Sequence, residues 1–297
     1  MNIMILDLNQ VLFSNMYQQL GNIEKLKIEQ PVEGGPLYQI DEDMLRHMVL
    51  NSIRMLRVQF RKEYPELVIA CDGQRSWRRE IYPYYKYKRR KEKDTSQIAW
   101  NALFNSMTKI RCELATFFPY RVVYIPEAEA DDIIATVVQL QETVGETLIF
   151  SADRDFLQLH SSTVKQYDPV RRKAVINKNP KEALLYHILR GDSGDGVPNV
   201  VSDDDCFATE GKRQVPLTGK RIKVILENLK NNTLDETIKK NIERNNKMIN
   251  LKAIPKEIKD KIFKEYLLEC EKKTGDLNNY FIENKLRLLH EHIGDFK

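Results

Sequence analysis

The chain predicts an α/β fold: a mostly parallel central sheet flanked by helices, followed by a helical C-terminal part. Three observations carry this. Four apolar runs of strand length, at residues 3–6, 67–71, 121–125 and 147–150, are separated by segments long enough to hold crossover helices. Each run leads into acids: Asp7, Asp72, Glu129 with Asp131 and Asp132, and Asp153 with Asp155. From Gly219 onward the apolar spacing is helical and the surface lysine-rich.

Taken in order, the first strand stops at Asp7, and residues 44–60 repeat Met44, Met48, Met55 and Leu56 with helical spacing. The second strand is closed by Asp72 and Gly73. The third ends before Pro126, which precedes a helix over about 127–144. Ser151-Ala152-Asp153 follows the fourth. After Asn179-Pro180 a helix is expected to run to Leu189 and to break at Gly191-Asp192-Ser193-Gly194-Asp195-Gly196, a stretch too rich in glycine to continue it. Residues 202–214 are polar and read as a loop, with later breaks near Pro255 and Gly275.

A chain of 297 residues can hold one large α/β domain, or a core with a smaller helical part. Its four cysteines, Cys71, Cys112, Cys206 and Cys270, lack zinc-finger spacing, and no signal sequence precedes Asp7, so a reduced cytoplasmic setting is expected. Apolar runs fall far short of the roughly 20 residues that cross a bilayer, so no membrane partner is expected. Net charge is only +4, yet residues 73–93 carry nine Lys or Arg against two Glu, +7 in that stretch alone. Charge of that density fits a phosphate backbone better than a small acidic metabolite.

In an open parallel sheet the carboxyl ends of the strands face one crevice, so acids far apart in sequence can meet there. Unneutralised, they would repel one another and raise their pKa values; a hard divalent cation with oxygen ligands, Mg²⁺, is the expected companion. Each motif also has a plainer reading. Glu129, Asp131 and Asp132 fall in the expected first turn of a helix, where the macrodipole favours acids, and helical geometry groups Glu129 with Asp132 while aiming Asp131 elsewhere. Asp153-Arg154-Asp155 could be a turn and N-cap, and Asp7 or Asp72 alone a loop solubiliser. Their shared topology favours chemistry. Asp192 and Asp195, three apart in the glycine-rich turn, would complete two cation positions, about 3.5–4 Å apart in phosphodiester-cleaving sites.

The basic segment contains Trp77, Tyr82, Tyr84, Tyr85 and Tyr87 among its cations, stacking faces that a solvated linker would lack, and is read as a nucleic-acid contact starting at the rim of the crevice. The five histidines form no nucleophile-orienting pattern and are read as surface or packing residues.

These residues together resemble the 5′ nuclease family: flap endonucleases, the 5′ nuclease domains of bacterial DNA polymerases, and the ribonuclease H of T-even phages, the last being nearest through Trp77-Arg78-Arg79. The resemblance rests on Asp7, Cys71-Asp72-Gly73, Trp77-Arg78, Pro83-Tyr84-Tyr85-Lys86 with Arg89, Glu129-Ala130-Asp131-Asp132, Ser151-Ala152-Asp153-Arg154-Asp155 and Gly191-Asp192-Ser193-Gly194-Asp195, and covers about the first 200 residues.

It implies a nuclease core over 1–185 with a basic arch at about 73–96, and a helical duplex-binding domain over 186–297. It also implies two Mg²⁺ ions, replaceable by Mn²⁺: one among Asp7, Asp72, Glu129, Asp131 and Asp132, the other among Asp153, Asp155, Asp192 and Asp195. Lys86 and Arg89 are expected to steady the scissile phosphate and, with Asp131, to be catalytic. Arg78, Arg79, Tyr85, Lys88 and Arg90 join Lys86 and Arg89 as nucleic-acid contacts, with Tyr85 stacking on a nucleotide.

A K⁺ site in the helical duplex-binding motif is a further implication, although residues 202–214 intervene where the family's hairpin would follow, leaving Leu217-Thr218-Gly219-Lys220 as a late equivalent. The implied activity is a structure-specific 5′-3′ nuclease acting near 5′ ends of RNA-DNA hybrid and forked or flap DNA, as a monomer in the host cytoplasm if phage-encoded. A single-strand-binding protein or sliding clamp would be replication partners.

Two rival readings fit the residues less well. A haloacid-dehalogenase-type phosphatase would need a second Asp two positions after Asp7, where Asn9 stands, and leaves the basic segment without purpose. A non-catalytic branch-binding protein would gain little from nine mutually repelling carboxylates.

Overall fold

The computed structural model describes residues 1–25, 40–96 and 98–297. In chain order the elements are β1 (Ile3–Asp7), α1 (Leu8–Lys25), α2 (Glu42–Phe60), β2 (Glu66–Cys71), α3 (Arg78–Ile81), α4 (Tyr87–Thr95), α5 (Trp100–Phe117), β3 (Arg121–Tyr124), α6 (Ala130–Gln141) and β4 (Thr147–Phe150). A 3₁₀ turn (Asp155–Leu159), β5 (Val164–Asp168), β6 (Lys173–Val175) and α7 (Pro180–Arg190) follow. Five further helices are α8 (Gly219–Lys230), α9 (Glu236–Ile249), α10 (Lys256–Glu271), α11 (Leu277–Glu283) and α12 (Arg287–His290).

The strand order is β3-β2-β1-β4-β5-β6, with β1 to β5 parallel and β6 antiparallel at the edge. Leu6 lies opposite both Ile69 and Phe150, so the carboxyl ends of β1, β2 and β4 are level. Because the chain runs from β1 toward β2 and from β4 toward β5, on opposite sides of the sheet, the loops after β1 and β4 diverge and leave a crevice between them. All four expected strands are present. The two additional ones, β5 and β6, were hidden by polar residues: Lys165 points outward, while buried Gln166 donates to the carbonyls of Ser151 and Asp153 at 2.8 and 2.6 Å, pinning the loop that leaves β4.

Alternation along the strands divides the core. Leu6, Ile69 and Phe150 face α1, α2 and α5; Ile5, Val68 and Ile149 face α6 and α10. Burying each such side chain contributes about 1.5–3 kcal/mol. The C-terminal helices are part of this packing. Ile258 and Ile262 of α10 join the α6 face, whereas Tyr280, Phe281 and Phe296 join the opposite one, where the Tyr280 hydroxyl donates to Glu113 at 2.8 Å.

The helix expected from 127 begins instead at Ala130. Glu129 is its N-cap, and the side chains of Glu129 and Asp132 accept one another's backbone N–H in a capping box. Residues 202–214 form turns, as the polar sequence suggests, held by Asn199, whose N–H donates to Gln214 and whose side-chain amide donates to the Val215 carbonyl.

Candidate active site

Local chain reversals bring the acids together. After β2, Gly73 donates its N–H to the Ala128 carbonyl at 2.7 Å, and a Cβ there would stand 2.3 Å from the Ile125 carbonyl oxygen. Only glycine permits this approach, which places Asp72 against the start of α6. The Asp72 carboxylate accepts from Ala130 N–H at 2.7 Å and from the Asn9 side chain at 2.6 Å. After α7, Gly191 adopts φ 69° and folds Asp192 back beside the helix, where its carboxylate accepts from the N–H groups of Gly194 and Asp195. In the β4 loop, Asp153 accepts from Asp155 N–H at 2.9 Å.

Electrostatics divides the acids into two groups. Burial, then Asp72 and Asp153, push Asp7 up to about 7. Burial, then Asp153, Asp7 and Asp155, raise Asp131 well above the carboxylate range. Burial and Asp153 lift Asp155 to about 7, with Asp192 and Asp195 adding to the repulsion. Asp72 is open to cleft water but ringed by protein, and it too is raised. Asp7, Asp72, Asp131, Asp153 and Asp155 thus form one field in which burial and mutual repulsion outweigh the partial compensation from Lys86 and His187. Crowded oxygen donors whose charge is unbalanced fit hard divalent cations.

The second group, Glu129 and Asp195, faces cations of the basic segment, although burial still raises the Asp195 carboxyl. Lys86 Nζ lies 2.5 Å from Glu129 Oε1 and 3.7 Å from Asp195 Oδ2, and Arg89 Nη2 lies 2.9 Å from Asp195 Oδ1. Burial disfavours the Glu129 charge, but Lys86 and Arg78 outweigh it and hold the carboxyl at about 2. The same carboxylates raise the Lys86 ammonium against its burial. Lys86, at φ 54°, links α3 to α4, and its N–H donates to the Asp195 carbonyl at 2.8 Å.

Three expected roles are corrected. Asp132, expected to ligate a cation, is fully buried and accepts from Arg78 at 2.8 and 3.0 Å and from Trp77 Nε1 at 3.0 Å, so its oxygens serve the interior. Arg78, expected on nucleic acid, is 2% exposed and also donates to Glu129 and the Met248 carbonyl. Tyr85, expected to stack on a nucleotide, is buried, with its hydroxyl between Glu129 at 2.9 Å and Asp195 at 2.8 Å. The aromatic-basic pattern in the sequence does not show which of its members turn inward.

Arg89, Lys88 and Arg90 are exposed, and Arg79 is partly buried. Arg79, Lys86, Arg89, Arg90, Lys93 and Arg111 line a cleft of about 1080 Å³ that reaches Asp72 and Glu129, with Phe13, Trp100 and Phe104 on its apolar wall. His187, expected as a surface or packing residue, stands between two acids: Nδ1 lies 3.4 Å from Asp155 and Nε2 3.5 Å from Asp192. Its position one helical turn before Gly191-Asp192 was the only signal in the sequence.

The chain is similar to known proteins over most of its length. Residues 2–184 match the family described as the 5′-3′ exonuclease N-terminal resolvase-like domain, and residues 179–296 match the C-terminal domain of T4 RNase H. Ribonuclease H of Enterobacteria phage T4 is 32% identical over 270 residues, covering 87% of this chain and 88% of that protein. Flap endonuclease Xni of Shewanella amazonensis is 30% identical over 192 residues, covering 61% of this chain and 69% of the relative.

Among solved structures, the phage T5 D15 protein co-crystallized with metal ions superposes with a TM-score of 0.63 at 18% identity, covering 91% of this chain and 99% of that one. A T5 D15 flap endonuclease complex with DNA and metal ions gives 0.58 at 18% identity, covering 92% and 100%. The phosphatase alternative falls with this assignment. The chain belongs to the 5′-3′ exonuclease family, with a C-terminal part of the T4 ribonuclease H type, and is a 5′-3′ nuclease.

Proposed function

We propose that this nuclease hydrolyses phosphodiester bonds near the 5′ ends of RNA or DNA annealed to a DNA template, and that it removes RNA primers during lagging-strand synthesis. The observation that carries the reading is the junction at Glu129 and Asp195, where the basic segment is bonded to the rim of the carboxylate field. A backbone held by the cations therefore arrives at the acids. Similarity over most of the chain to a phage ribonuclease H supports the choice of an RNA-containing substrate.

Asp7, Asp72, Asp131, Asp153, Asp155, Asp192 and Asp195 would hold two Mg²⁺ ions, with Mn²⁺ able to substitute, and Glu129 sits at their edge. When bound, such ions supply Lewis acidity that activates water and stabilises the departing 3′ oxygen. The protein's own groups orient the substrate. Arg89, partly exposed, donates to phosphate oxygens; Lys86, on exchanging Glu129 or Asp195 for a phosphate, fixes the scissile group. Phe13, Trp100 and Phe104 offer faces to unpaired bases in the cleft. Residues 186–297 would bind duplex backbone, with a K⁺ site near Leu217-Thr218-Gly219-Lys220 and replication proteins as partners.

The test is Mg²⁺-dependent cleavage of a 5′-labelled RNA-DNA strand annealed to template, comparing wild type with Asp131→Asn. Short 5′-end products that vanish in the variant support the reading. Substrate bound tightly but left intact in Mg²⁺ would refute it.

A further inference from the structure

We propose that His187 supplies a nitrogen ligand to the cation held by Asp155 and Asp192, making this position selective for ions that accept imidazole, such as Mn²⁺ or Co²⁺, over Mg²⁺. The inference rests on the reading above that these carboxylates bind a cation.

The three residues come from separate parts of the chain. Asp155 opens the 3₁₀ turn after β4, His187 lies in the last turn of α7, and Asp192 follows the reversal at Gly191. That reversal is tightly constrained: a Cβ on Gly191 would stand 2.4 Å from the Val197 carbonyl oxygen, and the Asp192 N–H donates to that same oxygen at 2.8 Å. The Gly191 N–H also donates to the His187 carbonyl at 2.8 Å, so the loop is tied to the turn that carries the imidazole. One donor atom from each of the three residues falls within 4.8 Å of the other two.

The distances are informative. At 3.4 and 3.5 Å, the ring nitrogens stand farther from the carboxylate oxygens than the usual 2.7–3.2 Å of an N–H···O bond. Two ligands at right angles, each about 2.1–2.4 Å from one ion, stand about 3.0–3.4 Å apart. The observed distances stand at and just beyond the upper end of that range, so a small side-chain shift brings the ring into the place of a neighbouring ligand. Its two nitrogens face different acids, so Nε2 can bind the ion beside Asp192 while Nδ1 donates to one oxygen of Asp155 and leaves the other for the ion, the arrangement that fixes ligating histidines. Asp155, His187 and Asp192 are all partly buried, with side chains 18%, 25% and 28% exposed, which leaves the position open to ions from the cleft. Imidazole among carboxylates shifts preference from Mg²⁺ toward Mn²⁺, Co²⁺ and Zn²⁺.

The test is pulsed EPR on the full chain loaded with Mn²⁺, with and without ¹⁵N-labelled histidine, alongside Mn²⁺ and Mg²⁺ titrations of wild type, His187→Gln and His187→Asn. The expected result is an imidazole-nitrogen modulation in wild type that changes on labelling and disappears in both variants. Mn²⁺ affinity should fall about tenfold or more while Mg²⁺ affinity changes much less. Mn²⁺ bound without nitrogen modulation, or with modulation that survives both substitutions, overturns the role of His187 and leaves the carboxylate site standing. Absence of any Mn²⁺ binding overturns both. The wild-type spectra decide the point even if the variants fold poorly.

Discussion

Arg78 grips Asp132 with both terminal nitrogens, Nη2 to Oδ1 at 2.8 Å and Nη1 to Oδ2 at 3.0 Å, and the same Nη1 reaches Glu129 at 2.9 Å. The first residue after the buried Trp77 is thereby locked to the first turn of α6. This clamp holds the basic segment against the acids, and Glu129 is shared between the interior and the cleft.

Replacing Arg78 with Met strands Asp132, fully buried, beside an apolar side chain. A loss of about 3–5 kcal/mol is expected in denaturant unfolding, as for a buried pair deprived of one partner. The double variant Arg78→Met with Asp132→Leu should recover part of that loss. Recovery of none would argue against an ion-pair origin.

Metal-free stability should fall as pH rises from about 4 to 7. Asp7 and Asp155 are each raised to about 7, so in this window the folded chain retains protons that the unfolded chain, titrating near 3.8, has already released. Stability from these two groups is fully present below the unfolded value and lost through the folded one. Saturating Mg²⁺ should flatten the profile, because a bound cation replaces the protons. Melting curves at pH 5, 6, 7 and 8 with chelator or Mg²⁺ check this, and a flat chelator series would remove the support for mutual repulsion.

Asp131→Asn should raise the melting temperature of the metal-free protein while abolishing cleavage. Asp131 carries repulsion from Asp153, Asp7 and Asp155 in a buried setting, and the amide relieves it. Calorimetry in chelator beside a cleavage assay tests the pairing, and a variant less stable than wild type would contradict it.

Lys86→Ala and Arg89→Ala should separate by temperature as well as by activity. Lys86 is mostly buried between Glu129 and Asp195, so its removal leaves two acids unbalanced and should lower both stability and kcat. Arg89 is 54% exposed, and its loss should weaken substrate binding with little change in melting. Equal melting shifts for the two would not fit this placement.

Much of the fold was legible because the strands that matter are apolar on both faces. Ile3 to Leu6, Leu67 to Cys71 and Thr147 to Phe150 can be buried only within a covered sheet, and a covered parallel sheet sends its carboxyl ends to one edge. Hence the meeting of Asp7, Asp72 and Asp153 was determined by sequence. β5 and β6 were not legible, since their polar residues are satisfied only by distant partners such as the carbonyls of Ser151 and Asp153.

What tertiary structure alone decided is the division of labour among residues of one chemical type. Asp131 and Asp132 are adjacent in sequence, yet the α6 capping box turns Asp132 to Arg78 and leaves Asp131 among like charges. Tyr85 and Arg78 resemble their exposed neighbours in sequence but are drawn inward to buried carboxylates. His187 gains its place only because Gly191 folds the chain back on the helix. Local pattern encodes which residues can be buried or charged. The direction that Arg78, Asp132 and Tyr85 face is set by partners more than 40 residues away, through hydrogen bonds and charges that exist only once the sheet has formed.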